Sequence, residues 1–502
     1  MTGRVVAAKS RPVRSRAKCN VRSIAHHFCS RSATTPSEAK PQINVPMRLS
    51  FNSSSRSRAA ITFALAFHCV MCMACASVSR ESPEQPKLPA SGLRKSYTSR
   101  DAMATRLASH EITPDALPPP KISGDVDNPP RVVTPPAGAE LNMPPGFVVS
   151  TFAEGGFRNP RWMALAPNGD VFLADSDADS VVILRDADGD GAAEQRFTFS
   201  TDLNKPFGMG FWHGYFYVGN TNAVMRFRYQ PGQTRAEGVP EKIADLPGKG
   251  YREHWTRNLQ FNPSGTKLYV TIGSESNADV EAEPRASILE FNPDGGGRRT
   301  YASGLRNPVG MAFRPGANAL WAAVQERDRM GDDLPPDYVT QIREGAFYGW
   351  PYSYIGRNVD PRHEGARPDL VRKAIVPDVL LQAHSAVLGL VFYEGKMFPE
   401  EYLGDAFVAM HGSWNRSKRT GYKIVRIRFK GGRPVGGYQD FITGWMLDEN
   451  NREVWGRPVG LLILPDGSML VTDDGADKIW RVTYEPPGGA TGNTALGNPL
   501  PR

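Results

Sequence analysis

Arg161-Trp162-Met163-Ala164-Leu165-Ala166-Pro167-Asn168-Gly169-Asp170-Val171-Phe172-Leu173-Ala174-Asp175 decides the fold. Apolar residues alternate up to Leu165, Pro167-Asn168-Gly169-Asp170 supplies a turn, and Val171-Phe172-Leu173-Ala174 resumes the strand, so the stretch reads as a β-hairpin. The phrase recurs. Besides Trp162-Met163-Ala164-Leu165 the copies are Gly208-Met209-Gly210-Phe211, Asn258-Leu259-Gln260-Phe261, Gly310-Met311-Ala312-Phe313, Gly389-Leu390-Val391-Phe392 and Gly460-Leu461-Leu462-Ile463. Their second residues lie 46, 50, 52, 79 and 71 positions apart, which four-stranded blades fill, with insertions in the later units. The spacing predicts an all-β, six-bladed propeller. No long stretch carries an apolar stripe at helical spacing. Phe147-Val148-Val149-Ser150-Thr151-Phe152 precedes the first copy and is expected to pair into the last blade, closing the ring.

Outside the repeats the chain changes character. Residues 1–80 hold 13 Lys and Arg against the single acid Glu38, so the overall net charge of +8 leaves −4 for the remainder. A mildly acidic folded part argues against nucleic acid as a partner, which would need a basic face. All five cysteines (Cys19, Cys29, Cys69, Cys72, Cys75) sit in this leader, so no disulfide framework supports the propeller. From Met47, a candidate true start, Arg48, Arg56 and Arg58 precede the apolar run Ala59 to Ala74, the pattern of an export signal. Ala74-Cys75-Ala76 reads as a cleavage site, and Met73-Ala74-Cys75 as a lipoprotein box that would make Cys75 a lipid anchor. The expected location is therefore exported and periplasmic, soluble or anchored. Residues 81–143, with Pro118-Pro119-Pro120, Pro129-Pro130 and Pro135-Pro136, read as an extended Pro-rich tether that reaches without packing. Residues 144–486 form the propeller, and 487–502 a flexible tail.

In a propeller the chemistry belongs where second strands end and the loops into the next blade begin. The strand ends supply Asp175, Asn220, Ser274-Glu275, Gln325-Glu326-Arg327-Asp328, His411 to Arg416 and Asp473-Asp474; the incoming loops supply Arg161, Lys205, His254, Arg257, Arg306-Asn307, His384 and Arg457. Asp186-Ala187-Asp188-Gly189-Asp190-Gly191 has the alternate oxygens of a calcium loop, but its twelfth residue is Phe197 rather than Glu, and an acidic hairpin turn reads equally well. Cys69-Val70-Met71-Cys72-Met73 lacks the His of a c-type haem site, so electrons are expected to leave to a separate acceptor.

Four ordered pieces are Glu253-His254-Trp255-Thr256-Arg257, Gly304-Leu305-Arg306-Asn307-Pro308-Val309-Gly310, Gly331-Asp332-Asp333 running to Tyr348-Gly349-Trp350-Pro351, and His411-Gly412-Ser413-Trp414-Asn415-Arg416. Together they resemble the soluble pyrroloquinoline-quinone-dependent sugar dehydrogenases, and within them the sorbosone dehydrogenase-like branch. The resemblance implies a six-bladed propeller holding the quinone and a Ca²⁺ on its axis and oxidising an aldose or sugar aldehyde. His254 would then be the general base; read alone, a histidine in a turn is more often structural. Arg306 and Asn307 match the pair that faces the cofactor, and a guanidinium suits the three quinone carboxylates and the charge gained on reduction. Arg416 and Lys423 fall where the family places further cationic ligands. Arg457 reads equally as a cofactor contact or a blade lock. Glu326, Arg327 and Asp328 stand where the family offers carbonyls to Ca²⁺, with Glu326 or Asp328 able to add carboxylate oxygens. The partners expected are a small sugar and an external electron acceptor, a cytochrome or quinone.

Two other readings share this fold. A metal-dependent lactonase would use Glu326, Asp175 and Asp473 on Ca²⁺ to activate water. A non-catalytic propeller would grip a protein or glycan at its polar mouth. The supply of arginines and His254 favour the quinone.

Overall fold

The computed structural model describes residues 97–98, 107–122, 124–248 and 254–486. The stretch read as an export signal, Cys75 and residues 487–502 lie outside them. Six antiparallel sheets follow one another along the chain. The first blade contains Pro160–Leu165, Val171–Asp175, Ser180–Arg185 and Gln195–Ser200. The second runs from Met209–Trp212 to Glu241–Asp245, the third from Leu259–Phe261 to Arg299–Ser303, and the fourth from Asn307–Phe313 to Val379–Leu381. The fifth spans Val387–Phe392 to Tyr438–Ile442, and the sixth begins at Pro458–Ile463. The first strand of each blade touches the first strand of the next all the way round, so the six close into a ring. The expected closure is present: Phe147–Glu154 pairs antiparallel with Lys478–Tyr484, from Phe147 opposite Tyr484 to Glu154 opposite Lys478. The sixth blade is thus built from both ends of the domain.

Close approach of the innermost strands explains why four of the six repeats begin with glycine. A Cβ on Gly310 would lie 2.3 Å from Leu388 O in the fifth blade, and one on Gly460 would lie 2.5 Å from Arg161 O in the first. In the third blade Asn258 takes this place and donates Nδ2 to Val309 O of the fourth at 2.8 Å. Between blades the sheets pack through aromatic side chains. Phe172 is fully buried, with ring centroids of Phe199 and Phe211 at 5.0 Å and Phe216 at 4.9 Å; burying one such ring contributes about 1.5–3 kcal/mol.

Two segments depart from plain repetition. The long fourth-to-fifth interval is filled by an excursion between Asp337–Gln341 and Val379–Leu381 that carries the short pair Ser353–Tyr354 and Asn358–Val359 and the helix Pro368–Lys373. The described part of the stretch read as a tether packs on the ring. Ser109–His110 pairs with Tyr438 and Gln439, Arg131–Val132 runs parallel to Glu453–Val454, and Leu141 and Met143 are buried. Sequence patterning misses this because two-residue strands have no period and their partners lie more than 300 positions away. Among the described residues no helix is long and apolar enough to cross a membrane.

Candidate functional site

Second-strand ends and incoming loops meet at one mouth of the ring. His254, just ahead of the third blade, is buried, with Nδ1 3.2 Å from Ser274 O and 3.0 Å from Ser274 Oγ. The Ser274 hydroxyl donates to Ser276 O at 2.6 Å, so both Ser274 oxygens accept from the imidazole. This wiring assigns the proton to Nδ1 and the lone pair to Nε2. Burial, then the Arg306 charge, hold the His254 pKa well below the usual imidazole value, so the ring is neutral at neutral pH. Ser274 N donates to Arg306 O at 2.8 Å. Gly273 lies between His254 and Asn307: a Cβ there would meet Asn307 Oδ1 at 2.4 Å and His254 Cβ at 3.0 Å. His254, Arg306 and Asn307 therefore share one mouth, as the motifs require.

Arg306 is gripped on every side. Nη1 donates to Glu326 O at 2.6 Å, Nη2 to Asp328 Oδ2 and Asn277 Oδ1 at 2.9 Å, and Nε to Asn277 O at 3.2 Å. Asp328 also receives Asn415 Nδ2 at 2.9 Å, which brings in the fifth-blade loop. Arg327 turns the other way, with Nη1 2.6 Å from Asp360 Oδ2 in a buried pair. Asn277 has no sequence signal beyond its place a few residues past a strand end.

A second group lies across blades five, six and one. His411 Nε2 is 2.9 Å from both Asp474 oxygens, and Nδ1 accepts Arg457 Nη2 at 3.0 Å. Arg161 pairs with the same aspartate. Burial and the Arg457 charge push the His411 pKa down to about 4, and although burial raises the Asp474 carboxyl, the neighbouring His411 and arginines hold it well below the usual range. The Arg161 guanidinium lies 5.6 Å from the Trp255 ring, next to His254, which joins the two groups into one belt.

Several expected ligands are elsewhere or committed. Arg416 bonds Asp332 O, Lys418 O and Asp333 on the rim, and Lys423 pairs with Asp440 at 2.6 Å beside His110, so neither joins the belt. At the expected Ca²⁺ loop Glu326 O accepts Arg306, and Asp328 O accepts Asn277 Nδ2 and Arg327 Nε, both at 3.1 Å, so protein donors already engage two of the loop's carbonyls. Two of the three carboxylates of a lactonase are also committed: Asp175 accepts Arg158 N and Asn159 N, while Asp473 accepts Arg457 N, Gly475 N, Ala476 N and Trp480 Nε1. On the first blade's outer hairpin Asp186, Asp188 and Asp190 are joined by Glu194, all within 4.8 Å, and their oxygens cap the backbone of their own turn.

Buried atoms lacking a hydrogen-bond partner mark where a ligand would fit. They include Asn307 Oδ1, Glu326 Oε1, Asn220 Oδ1 and the donor Arg457 Nε, which is 4.0 Å from Asp474. Burial pushes the Glu326 pKa up to about 8.

The profile of the TrAA12-like family matches residues 141–344 and 369–485. The chain belongs to that family. An uncharacterized protein of Borreliella burgdorferi is 30% identical over 356 residues, covering 69% of this chain and 91% of its own length. A pyrroloquinoline quinone-dependent pyranose dehydrogenase of Coprinopsis cinerea is 23% identical over 405 residues, covering 68% of this chain and 54% of that protein. Among solved structures, the Trichoderma reesei enzyme of carbohydrate-active family AA12 superposes with a TM-score of 0.61 at 19% identity, covering 71% of this chain and 99% of that one. The family match bears out the kinship read from the motifs, and the AA12 superposition bears out the six-bladed fold.

Proposed function

We propose that the protein is a quinoprotein oxidoreductase that oxidises an aldose or sugar aldehyde with pyrroloquinoline quinone and passes the electrons to an external carrier. The observation carrying this reading is the mouth itself, where a neutral buried imidazole shares one belt with Arg306, Asn307, Arg161 and Arg457. These residues fit the group. Arg457 Nε is a buried donor with no hydrogen-bond acceptor, suited to a carboxylate, and Asn307 Oδ1 is a buried acceptor suited to a pyrrole N–H. Asn307 and Arg457 would hold the quinone, which when bound supplies the hydride acceptor, with Arg306 beside them as a fixed positive charge. The chain's own part is proton removal: His254 takes the sugar hydroxyl proton at Nε2 while Nδ1–H stays on Ser274, and Arg306 and Arg457 keep the pocket positive. No step runs through a metal.

The sorbosone-like branch and the export of the chain through its leader, with Cys75 at the cleavage site or as lipid anchor, belong to this proposal. A propeller without cysteines suits an oxidising compartment. The test is to titrate the full chain with pyrroloquinoline quinone, then follow dye reduction across aldoses, sorbosone and lactones. Dye reduction by a sugar is expected; lactone hydrolysis without dye reduction would overturn the reading.

A further inference from the structure

The segment before the family-matched region crosses the same mouth. Lys121 N donates to Met330 O on the fourth-blade rim at 2.6 Å, Asn128 N to Trp414 O at 2.7 Å, Arg131 N to Arg452 O at 2.6 Å and Val133 N to Val454 O at 2.9 Å. This strap links the rims of blades four, five and six. Asn128 is its densest contact. Its Nδ2 donates to Arg416 O at 3.0 Å and Ser417 O at 3.3 Å, its Oδ1 accepts Arg419 Nη2 at 3.0 Å, and its carbonyl accepts Arg419 Nη1 at 3.1 Å. All its polar groups thus engage residues 414–419. That loop leaves and re-enters the fifth blade through Gly412 and Gly421, at φ of 108° and 82°; Ser413 N to Thr420 O closes its base, and its tip is held by Asp332, Glu449 and Asn128. The same loop presents Asn415 to Asp328, and Asp328 holds Arg306.

Building on the quinone reading, we propose that Asn128 is a positioning residue of the cofactor site. It fixes the 414–419 loop so that Asn415 meets Asp328 and the Arg306 charge keeps its place beside His254. The segment that looks like a tether in sequence is then a working wall of the site.

The test compares quinone affinity, turnover and amide exchange in the full chain. Asn128→Ala removes the bonds through Nδ2 and Oδ1 and should raise the quinone Kd about tenfold or more. Amide exchange should quicken in residues 411–421 alone, and kcat at saturating quinone and sugar should change less than about twofold. Asn128→Asp keeps the acceptor for Arg419 and loses both donations, so its Kd should fall between. Phe172→Leu, far from the mouth, serves as a comparison of similar thermal shift and should leave Kd unchanged. Equal weakening in Phe172→Leu, or an Asn128→Ala chain that binds quinone like wild type, would overturn the proposal. A wild-type chain that binds no quinone would instead sink the cofactor reading, and this inference with it.

Discussion

The mouth carries two histidines wired in opposite ways. His411 has both nitrogens committed, one to Arg457 and one to Asp474, in a clamp that ties blades five, six and one. His254 directs Nδ1–H to Ser274, which places its lone pair on Nε2. Both rings are kept neutral by burial, so their protonation state does not separate them. What separates them is tautomer and connection. A clamped imidazole can orient arginines, whereas one with a lone pair fixed by its second nitrogen is suited to take a proton. The difference shows why a histidine near an arginine is an ambiguous signal until its partners are known.

The sharpest way to break the comparison is at the arginines. Arg306→Leu would leave Asp328 and the carbonyl of Glu326 buried without their main donor, and should cost about 3–5 kcal/mol of stability, read by denaturant unfolding. Arg457→Leu removes a guanidinium that is 29% exposed and has a buried Nε without a hydrogen-bond acceptor. It should mainly weaken quinone binding, by about 10-fold to 100-fold, with a smaller loss of stability. If Arg457→Leu unfolds the chain as severely as Arg306→Leu, both arginines are structural and the contrast between them fails.

Glu326 gives the subtlest test. Its pKa is pushed up to about 8 by burial, so the folded state holds a proton that the unfolded state releases near the ordinary carboxyl value. Stability from this group is therefore fully present below about pH 4.5 and declines as pH rises toward 8, with a slope of at most about 1.4 kcal/mol per pH unit. Glu326→Gln should flatten the dependence of thermal stability on pH between 5 and 8. An unchanged slope would mean that the carboxylate stays ionised in the folded state, held by Arg306 or by a cation at the fourth-blade loop.

The ring was legible because each blade repeats one hairpin phrase, and Phe147 to Phe152 advertised the closing strand by its own alternation. The site was half legible. His254, Arg306 and Asn307 stand inside ordered motifs, and Arg161 and Asp474 at strand ends and incoming loops whose positions the repeat dictates. Asn277 and Asn128 lie in irregular segments whose partners are set only by the folded ring. Arg416 and Lys423 were misplaced for a related reason: a cation near a motif pairs with whatever acid the rim brings, here Asp333 and Asp440.

The central claim is that His254, not His411, moves the proton. It is tested most directly by single-turnover reduction of bound pyrroloquinoline quinone by sugar under anaerobic conditions, in wild type, His254→Gln and His411→Gln. The account predicts that His254→Gln slows this step by about 10²–10⁴-fold at saturating quinone, while His411→Gln shifts quinone affinity and leaves the step within about threefold. Equal slowing in the two variants, or full speed in His254→Gln, would contradict it.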